Sequence, residues 1–347
     1  MNTFGNRIRY TAFGTSHGSD VGFVLEGLPA GFEVDMDAIS FDISRRSAAL
    51  NICATPRHED DGFTVLSGLF GGHTDGSPLV VAFPNREHDR AEYHPTARPS
   101  HADYAAFIKY GGSADISGGG QFSGRLTLPM TFAGSVCRQL LKKRGVEVFS
   151  HVLAIGDVFD EPFNNIMKEK PPLDPFFPLV GVNRRADMEE ALRRARERGD
   201  TLSCEIECAA LGLPVGVGEP LADGVESTLS RLLFMIPALR GVEFGERHVF
   251  GSEMNDGFTD GGRTVTNRSG GVNGGMTNGM PLVFRAWFRA VPSIALPQTG
   301  YDLAEKKPVP LTINGRHDTA VLPRGAVAVE AAVCLGLAEL MSGEQYA

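Results

Sequence analysis

Five polar segments of this chain combine residue types that move protons and hold anions. They are the turn Gly14-Thr15-Ser16-His17-Gly18, the pair Arg45-Arg46, the segment Arg98-Pro99-Ser100-His101-Ala102-Asp103, the run Ser117-Gly118-Gly119-Gly120-Gln121-Phe122-Ser123-Gly124-Arg125-Leu126-Thr127, and Gly315-Arg316-His317-Asp318. Arginine binds phosphate or carboxylate with a forked pair of donors, histidine exchanges protons near neutral pH, and Asp318 adds a carboxylate. Three successive glycines followed by an apolar helical pattern describe an anion cradle, since a bare backbone approaches a ligand closely and offers it N–H groups. Each segment also has a plainer reading. Glycine runs are commonly turns, Arg45 and Arg46 would complement a helix dipole, His17 would sit satisfied in its turn, and Asp318 would cap a final helix.

The elements that must position these groups follow from periodicity and breakers. Strands are predicted over Ile8 to Phe13 and Val21 to Glu26, then a helix over Met36 to Arg46 capped by Asp35, with Ile39 and Ile43 on one face. Short strands follow at Phe63 to Leu66 and Leu79 to Phe83. A helix capped by Ser100 runs to Tyr110, and another covers Leu128 to Lys143. A long strand spans Val146 to Val158, a charged helix Asp187 to Arg198, and strands Leu202 to Ala210 and Leu213 to Gly218. A helix over Asp223 to Ile236 precedes strands at Val242 to Phe244, His248 to Phe250, Leu282 to Phe288 and Ser293 to Leu296, and a last helix covers Ala326 to Met341. Two echoes suggest an internal duplication: Gly76-Ser77-Pro78-Leu79 with Gly279-Met280-Pro281-Leu282, and Arg144-Gly145-Val146 with Arg240-Gly241-Val242. Duplication would give two similar α/β layers in one compact unit.

Composition narrows the partners. With 347 residues and 42% hydrophobic content the chain can bury a large core. A formal charge of -9 and a pI near 5.5 leave no basic field for nucleic acid or an anionic membrane, so an anionic ligand needs local arginines. Five cysteines without a C-x-x-C pair predict reduced core thiols, with Cys204 and Cys208 on one buried face. His58, His73, His88 and His94 fit no metal-ligand spacing, so no metal is expected. No run is long and apolar enough to span a membrane, and a cytoplasmic location is expected.

From about Phe4 to Leu340 the chain resembles the chorismate synthase family. The resemblance rests on Gly14 to Gly18, Gly27-Leu28-Pro29-Ala30-Gly31, Ser67 to Phe70, Arg98 to Asp103, Asn267 to Gly275 and Gly315 to Asp318, in the family's order. It implies an α/β (α+β) fold, a β-α-β sandwich of two pseudo-repeated halves forming one domain over residues 1–347 of each subunit of a homotetramer. It also implies the last step of the shikimate route, anti 1,4-elimination of phosphate from 5-enolpyruvylshikimate 3-phosphate to chorismate. Reduced FMN is the implied cofactor, with NADPH needed only indirectly to reduce the flavin, in some cases through an external flavin reductase.

The resemblance further implies the site. His17 protonates the departing phosphate, His101 lies by the flavin and sets its protonation, and Asp318 relays the proton that flavin N5 takes from the ring. Arg46, Arg57, Arg98 and Arg125 fall at substrate positions. Gln121, Ser123, Ala238, Gly274, Arg289, Ser293 and Arg316 fall at cofactor positions. Departures are concentrated in the anion-binding shell: Thr15 replaces a Glu and Ser100 a Gly, Gln121 stands where the family carries Arg, and Ile52, Ala114 and Pro237 replace other polar positions. Each charged hydrogen bond lost there would cost about 1.5–3 kcal/mol of ligand binding if uncompensated. A paralogue that keeps the fold and flavin binding without the reaction is the alternative.

Overall fold

A helix that is apolar on every side has to be covered on every side. The segment Thr127 to Cys137 is buried without a break, and so is Gly325 to Ala338. Both lie in helices held between two antiparallel sheets. The computed structural model describes residues 2–47, 61–85, 96–115, 117–313, 318–322 and 324–343.

The first half of the chain runs β1 (Thr3–Phe4), β2 (Arg9–Gly14), β3 (Asp20–Glu26), α1 (Met36–Arg46), β4 (Thr64–Ser67), β5 (Leu69–Phe70), β6 (His73–Thr74), β7 (Leu79–Pro84), β8 (Thr96–Ala97), α2 (Asp103–Lys109) and α3 (Thr127–Lys143). The second half runs β9 (Glu147–Ile155), β10 (Val158–Phe159), α4 (Arg185–Glu197), β11 (Cys204–Leu211), α5 (Val225–Leu233), β12 (Leu239–Phe244), α6 (Gly251–Met254), β13 (Val272–Asn273), β14 (Met276–Thr277), β15 (Leu282–Phe288), β16 (Gln298–Asp302), β17 (Lys307–Leu311) and α7 (Arg324–Leu340). One five-stranded sheet has the order β1-β2-β3-β7-β4 and the other β10-β9-β11-β15-β12. Helices α1, α3, α5 and α7 fill the space between, and one continuous hydrophobic cluster joins both sheets to them. α3 and α7 touch backbone to backbone, for a Cβ on Gly134 would lie 2.4 Å from Ala331 Cα.

The duplication is visible strand by strand. In each sheet the strand opened by a Pro-Leu step, β7 or β15, is fourth in order, and a hairpin with two left-handed glycines precedes it. Gly71 and Gly72 have φ of 56° and 81°, while Gly274 and Gly275 have 61° and 86°. A threonine after each pair latches a Leu-Pro loop. Thr74 Oγ1 donates to Pro29 O at 2.5 Å and accepts from Phe32 N at 3.0 Å, and Thr277 Oγ1 donates to Pro214 O at 2.6 Å and accepts from Val217 N at 2.9 Å. Gly27-Leu28-Pro29-Ala30-Gly31 and Gly212-Leu213-Pro214-Val215-Gly216 are therefore one motif used twice. The Arg144 and Arg240 echo is coincidental, because it precedes β9 in one case and falls within β12 in the other, which are not equivalent strands.

Helix α1 matches its predicted span, and Asp35 accepts from Ala38 N at 2.9 Å as its cap. Other expectations are corrected. Leu213 to Gly218 is the latched loop, and neither His248 to Phe250 nor Ser293 to Leu296 is a strand. The long strand over Val146 to Val158 turns back at Gly156, φ 59°, as β9 and β10. β17, absent from the predicted strands, contains Pro308 and Pro310, which are tolerated on this sheet edge. Cys137, Cys204, Cys208 and Cys334 are reduced and buried, as expected, and Cys53 lies outside the described residues.

Candidate active site

The glycine run is not a helix entrance. Gly118, Gly119 and Gly120 have φ of 58°, 106° and 52°, all in the left-handed region that side chains avoid. A Cβ on Gly118 would lie 1.7 Å from His17 Cε1, and one on Gly119 would lie 3.8 Å from His101 Nε2. The run is a platform on which two imidazoles from distant segments rest. Gly118→Ala should displace His17 and lower turnover about 10²-fold, the effect of misplacing a reacting group by an ångström. Steady-state rates on a variant whose unfolding transition is intact would check this, and undiminished turnover would contradict it.

His17 sits in the turn between β2 and β3. Ser16 N–H donates to Gly120 O at 3.2 Å, which docks this turn on the platform. Ser16 Oγ lies 3.0 Å from His17 Nδ1 and donates to Ser117 O at 3.4 Å. With its hydrogen so used, the hydroxyl accepts from Nδ1–H, and Nε2 becomes the basic nitrogen.

His101 is oriented by its own segment. Its Nδ1 lies 2.6 Å from Asp103 Oδ1, and Arg98 grips the same carboxylate from Nε at 2.7 Å and from Nη2 at 2.9 Å. Burial pushes the Asp103 carboxyl up, but hydrogen bonds from Arg98 and His101 outweigh it and hold the group well below the usual carboxylate range. An ionised Asp103 fixes Nδ1–H and leaves Nε2 toward the glycine platform. Arg98, expected on the substrate, is thus committed mainly to Asp103.

Ser100, expected as a helix cap, has φ 57° and caps nothing; α2 starts at Asp103, and Ala102 holds the cap position without a side-chain bond. A serine thus holds a backbone conformation that favours glycine. Ser100→Gly should raise stability by up to about 1 kcal/mol, read from the denaturant midpoint. A lowered midpoint would contradict it.

Arg45 and Arg46 point to opposite places. Arg46 donates from Nε to Thr127 Oγ1 at 3.0 Å and from Nη2 to Gly124 O at 3.2 Å, at the start of α3. It shares Asp61 with Arg125, which also donates from Nε to Asn85 Oδ1 at 3.2 Å. Arg45 joins Glu330, Arg138 and Asp42. That cluster lines a cavity of about 780 Å³ between α1, α3, β9 and the arm around Asp174, separate from the histidines. Asp61 and Asn85 belong to the site but escaped the sequence reading, since nothing local marks either as a partner of Arg125.

Arg289 donates to Ser100 O at 2.8 Å and to Ala290 O at 3.2 Å, and among the described residues it has no carboxylate partner. Its pKa is lowered by burial and by Arg240 beside it. Arg289 N–H donates to Ala238 O at 3.0 Å, so Ala238 lies close by, and Ser293 is buried. Ser123 Oγ accepts from Arg125 N–H at 3.2 Å, and Gln121 is half-buried in the platform. Gly274 is not brought to the platform: it turns the β13–β14 hairpin, which packs on Glu219, Gly224 and Val225. Asp318 pairs with Arg324 at 3.3 Å at the foot of α7. Arg57 and Arg316 lie outside the described residues. Among the described residues no group of three His, Cys, Asp or Glu is arranged to hold a metal, and no helix is long and apolar enough to cross a membrane.

Against known proteins, a family model described as chorismate synthase matches residues 8–342. A chorismate synthase of Dehalococcoides mccartyi is 38% identical over 351 residues, covering 98% of this chain and 96% of the relative. One of Thermococcus kodakarensis is 40% identical over 347 residues, covering 96% of each. A crystal structure of chorismate synthase superposes with a TM-score of 0.73 over 97% of this chain and 92% of its own, at 23% identity, a likeness of fold.

Proposed function

Because the chain belongs to the chorismate synthase family, we propose that the cleft around His17, His101 and the glycine platform is where it performs the family's reaction. The enzyme is a lyase of the shikimate pathway: the carbon–oxygen bond to phosphate and a ring carbon–hydrogen bond break, a carbon–carbon double bond forms, and chorismate and phosphate leave. A phosphate leaves poorly as a bare anion, so the step needs an acid at its oxygen and cations around its charge.

His17 is that acid once its Nε2 has taken up a proton, with Nδ1–H pinned by Ser16. Arg46 and Arg125, converging through Asp61, bind the substrate's anionic groups together with Arg57. Arg98 acts through Asp103 on His101, and Asp318 relays the proton lost from the ring carbon. Reduced FMN is the cofactor, and when bound it supplies the electron-rich partner that the elimination draws on. The chain fits such a group: Arg289 is a cation without a carboxylate partner among the described residues, and the platform around Gly119 is space that a Cβ would narrow. Arg289, Arg316, Ser123, Gln121, Ala238 and Ser293 would hold it, and His101 would keep its protonation. Gly274 would join them only from another subunit, since its hairpin packs elsewhere in its own chain.

A single domain over 1–347, a cytoplasmic location, and flavin reduced with NADPH, directly or by an external reductase, complete the reading. A homotetramer is supported by the arm carrying Val249, Phe250, Phe258 and Val265, which are 87%, 65%, 81% and 60% exposed. The observation that carries the function is the pair of histidines seated on one glycine turn beside Arg46 and Arg125. The test is incubation with reduced FMN and 5-enolpyruvylshikimate 3-phosphate, measuring chorismate and phosphate together. Equal release of both is expected, and no product above a His17→Ala control would overturn the reading.

A further inference from the structure

Asn85 follows β7 directly, and its residue is 4% exposed. Its Nδ2 donates to Thr15 O at 3.0 Å and to Gly18 O at 2.9 Å, the two ends of the turn that carries His17. Its backbone N–H donates to Ser19 O at 2.9 Å. Its Oδ1 faces the other way and accepts from Arg125 Nε at 3.2 Å. One planar amide therefore braces the histidine turn with its donors and meets an anion-site arginine with its acceptor.

We propose that Asn85 is a positioning residue for His17 and that it ties the imidazole's turn to the guanidinium of Arg125. The proposal rests on the assignment of His17 as the proton donor. The physical case begins with the turn, which sits between glycines: Gly14 has φ 92°, and a Cβ on it would lie 2.2 Å from Asp20 O. Such a short glycine-flanked turn fixes a side chain only if its carbonyls are held. Ser16 docks one edge on the platform, and Asn85 holds both ends from the opposite side. The two roles of Asn85 also reinforce each other, because a hydrogen bond accepted by an amide oxygen polarises its N–H donors. An anion that draws on Arg125 thereby alters the brace of the acid that must protonate it. No other neutral side chain of this length offers two donors and an acceptor in one plane. Aspartate keeps the shape and the Arg125 contact but loses both donors.

The test is a double-mutant cycle on the full-length enzyme. Asn85→Asp and Asn85→Ala are measured alone and combined with His17→Ala, with kcat and KM determined separately and thermal unfolding recorded for each. Each single Asn85 variant is expected to lower kcat about 10- to 100-fold, with KM changed less than about threefold. In the His17→Ala background neither substitution should lower kcat further, because the group it positions is gone. Losses that multiply across the two sites, or a loss in KM alone, would overturn the proposal while leaving the His17 assignment standing. A His17→Ala enzyme with unchanged turnover would instead overturn that assignment and the proposal with it. If Asn85→Ala does not fold, the near-isosteric aspartate variant carries the same cycle.

Discussion

His17→Ala should lower kcat about 10²- to 10⁴-fold and leave the unfolding transition in place. The expectation comes from position and chemistry together. His17 is half-buried in a short turn and is not among the residues of the hydrophobic cluster, so its loss removes little packing. What it removes is an imidazole whose Nδ1 is tied to Ser16 and whose ring lies against Gly118. On the proposed assignment the departing phosphate would leave without an acid while Arg46 and Arg125 would still bind it, so KM should move little. Stopped reactions quantified for chorismate and phosphate, beside a denaturant curve, decide the matter. A loss confined to KM, or turnover near the parent's, would remove His17 from the chemistry.

Replacing Glu330 should be the most destabilising single change described, about 3–5 kcal/mol for Glu330→Ala. Its residue is 1% exposed. Its carboxylate accepts from Arg45 Nη1 at 2.8 Å and Nη2 at 3.0 Å, from Arg138 Nη2 at 2.7 Å, and from Ser150 N at 3.1 Å and Oγ at 2.8 Å. Removing it takes the main carboxylate from two guanidinium groups and leaves them only Asp42 among the described residues. The partners lie on α1, α3 and β9 and Glu330 itself on α7, so the lost contacts join the first half of the chain to the second. Burial alone would raise this carboxyl, but the charges of Arg45 and Arg138 prevail and hold it far below its ordinary value. A lowered folded pKa means that the stabilisation is complete above the unfolded value of about 4.3 and is lost as pH falls through the folded one. The stability gap between parent and variant should therefore be widest near neutrality and should narrow below about pH 4. Unfolding curves across that range check both claims, and a gap under about 1 kcal/mol near neutrality would refute the first.

Much of this was legible in the sequence where the signal was local. Asp35 followed by an apolar stripe gave α1, the Pro-Leu steps gave β7 and β15, and adjacent glycines marked the platform. Function came from the same short motifs, because His17, His101 and the glycine run stand in the family's order even though Thr15, Ser100 and Gln121 beside them depart from it. What stayed hidden was long-range. Arg45 and Arg46 are adjacent, yet one faces Glu330 and the other Gly124, a division set by helix phase against surroundings that no window contains. Asp61 and Asn85 became partners of Arg125 only once β7 and α3 had packed. The apparent cap at Ser100 failed because its left-handed backbone leaves it outside the first turn of α2. Gly274 resembles a ligand position in sequence, whereas its counterpart Gly71 serves the same hairpin in the other half.

That last comparison reaches further. Two copies of one supersecondary unit sit in a single chain, so the positions that repeat in both have a twin in the same local geometry. The Leu-Pro loops, the threonine latches and the paired hairpin glycines occur in both copies, and their retention is accounted for by folding alone. The turn with His17 and the triple-glycine platform belong to one copy, while Arg289 and Asp318 belong to the other. The molecule thus holds an internal reference: substitutions at twinned positions report on architecture, and substitutions at untwinned ones report on chemistry. Exchanging a latch segment between halves should be tolerated, whereas transplanting the His17 turn into the second copy should confer nothing.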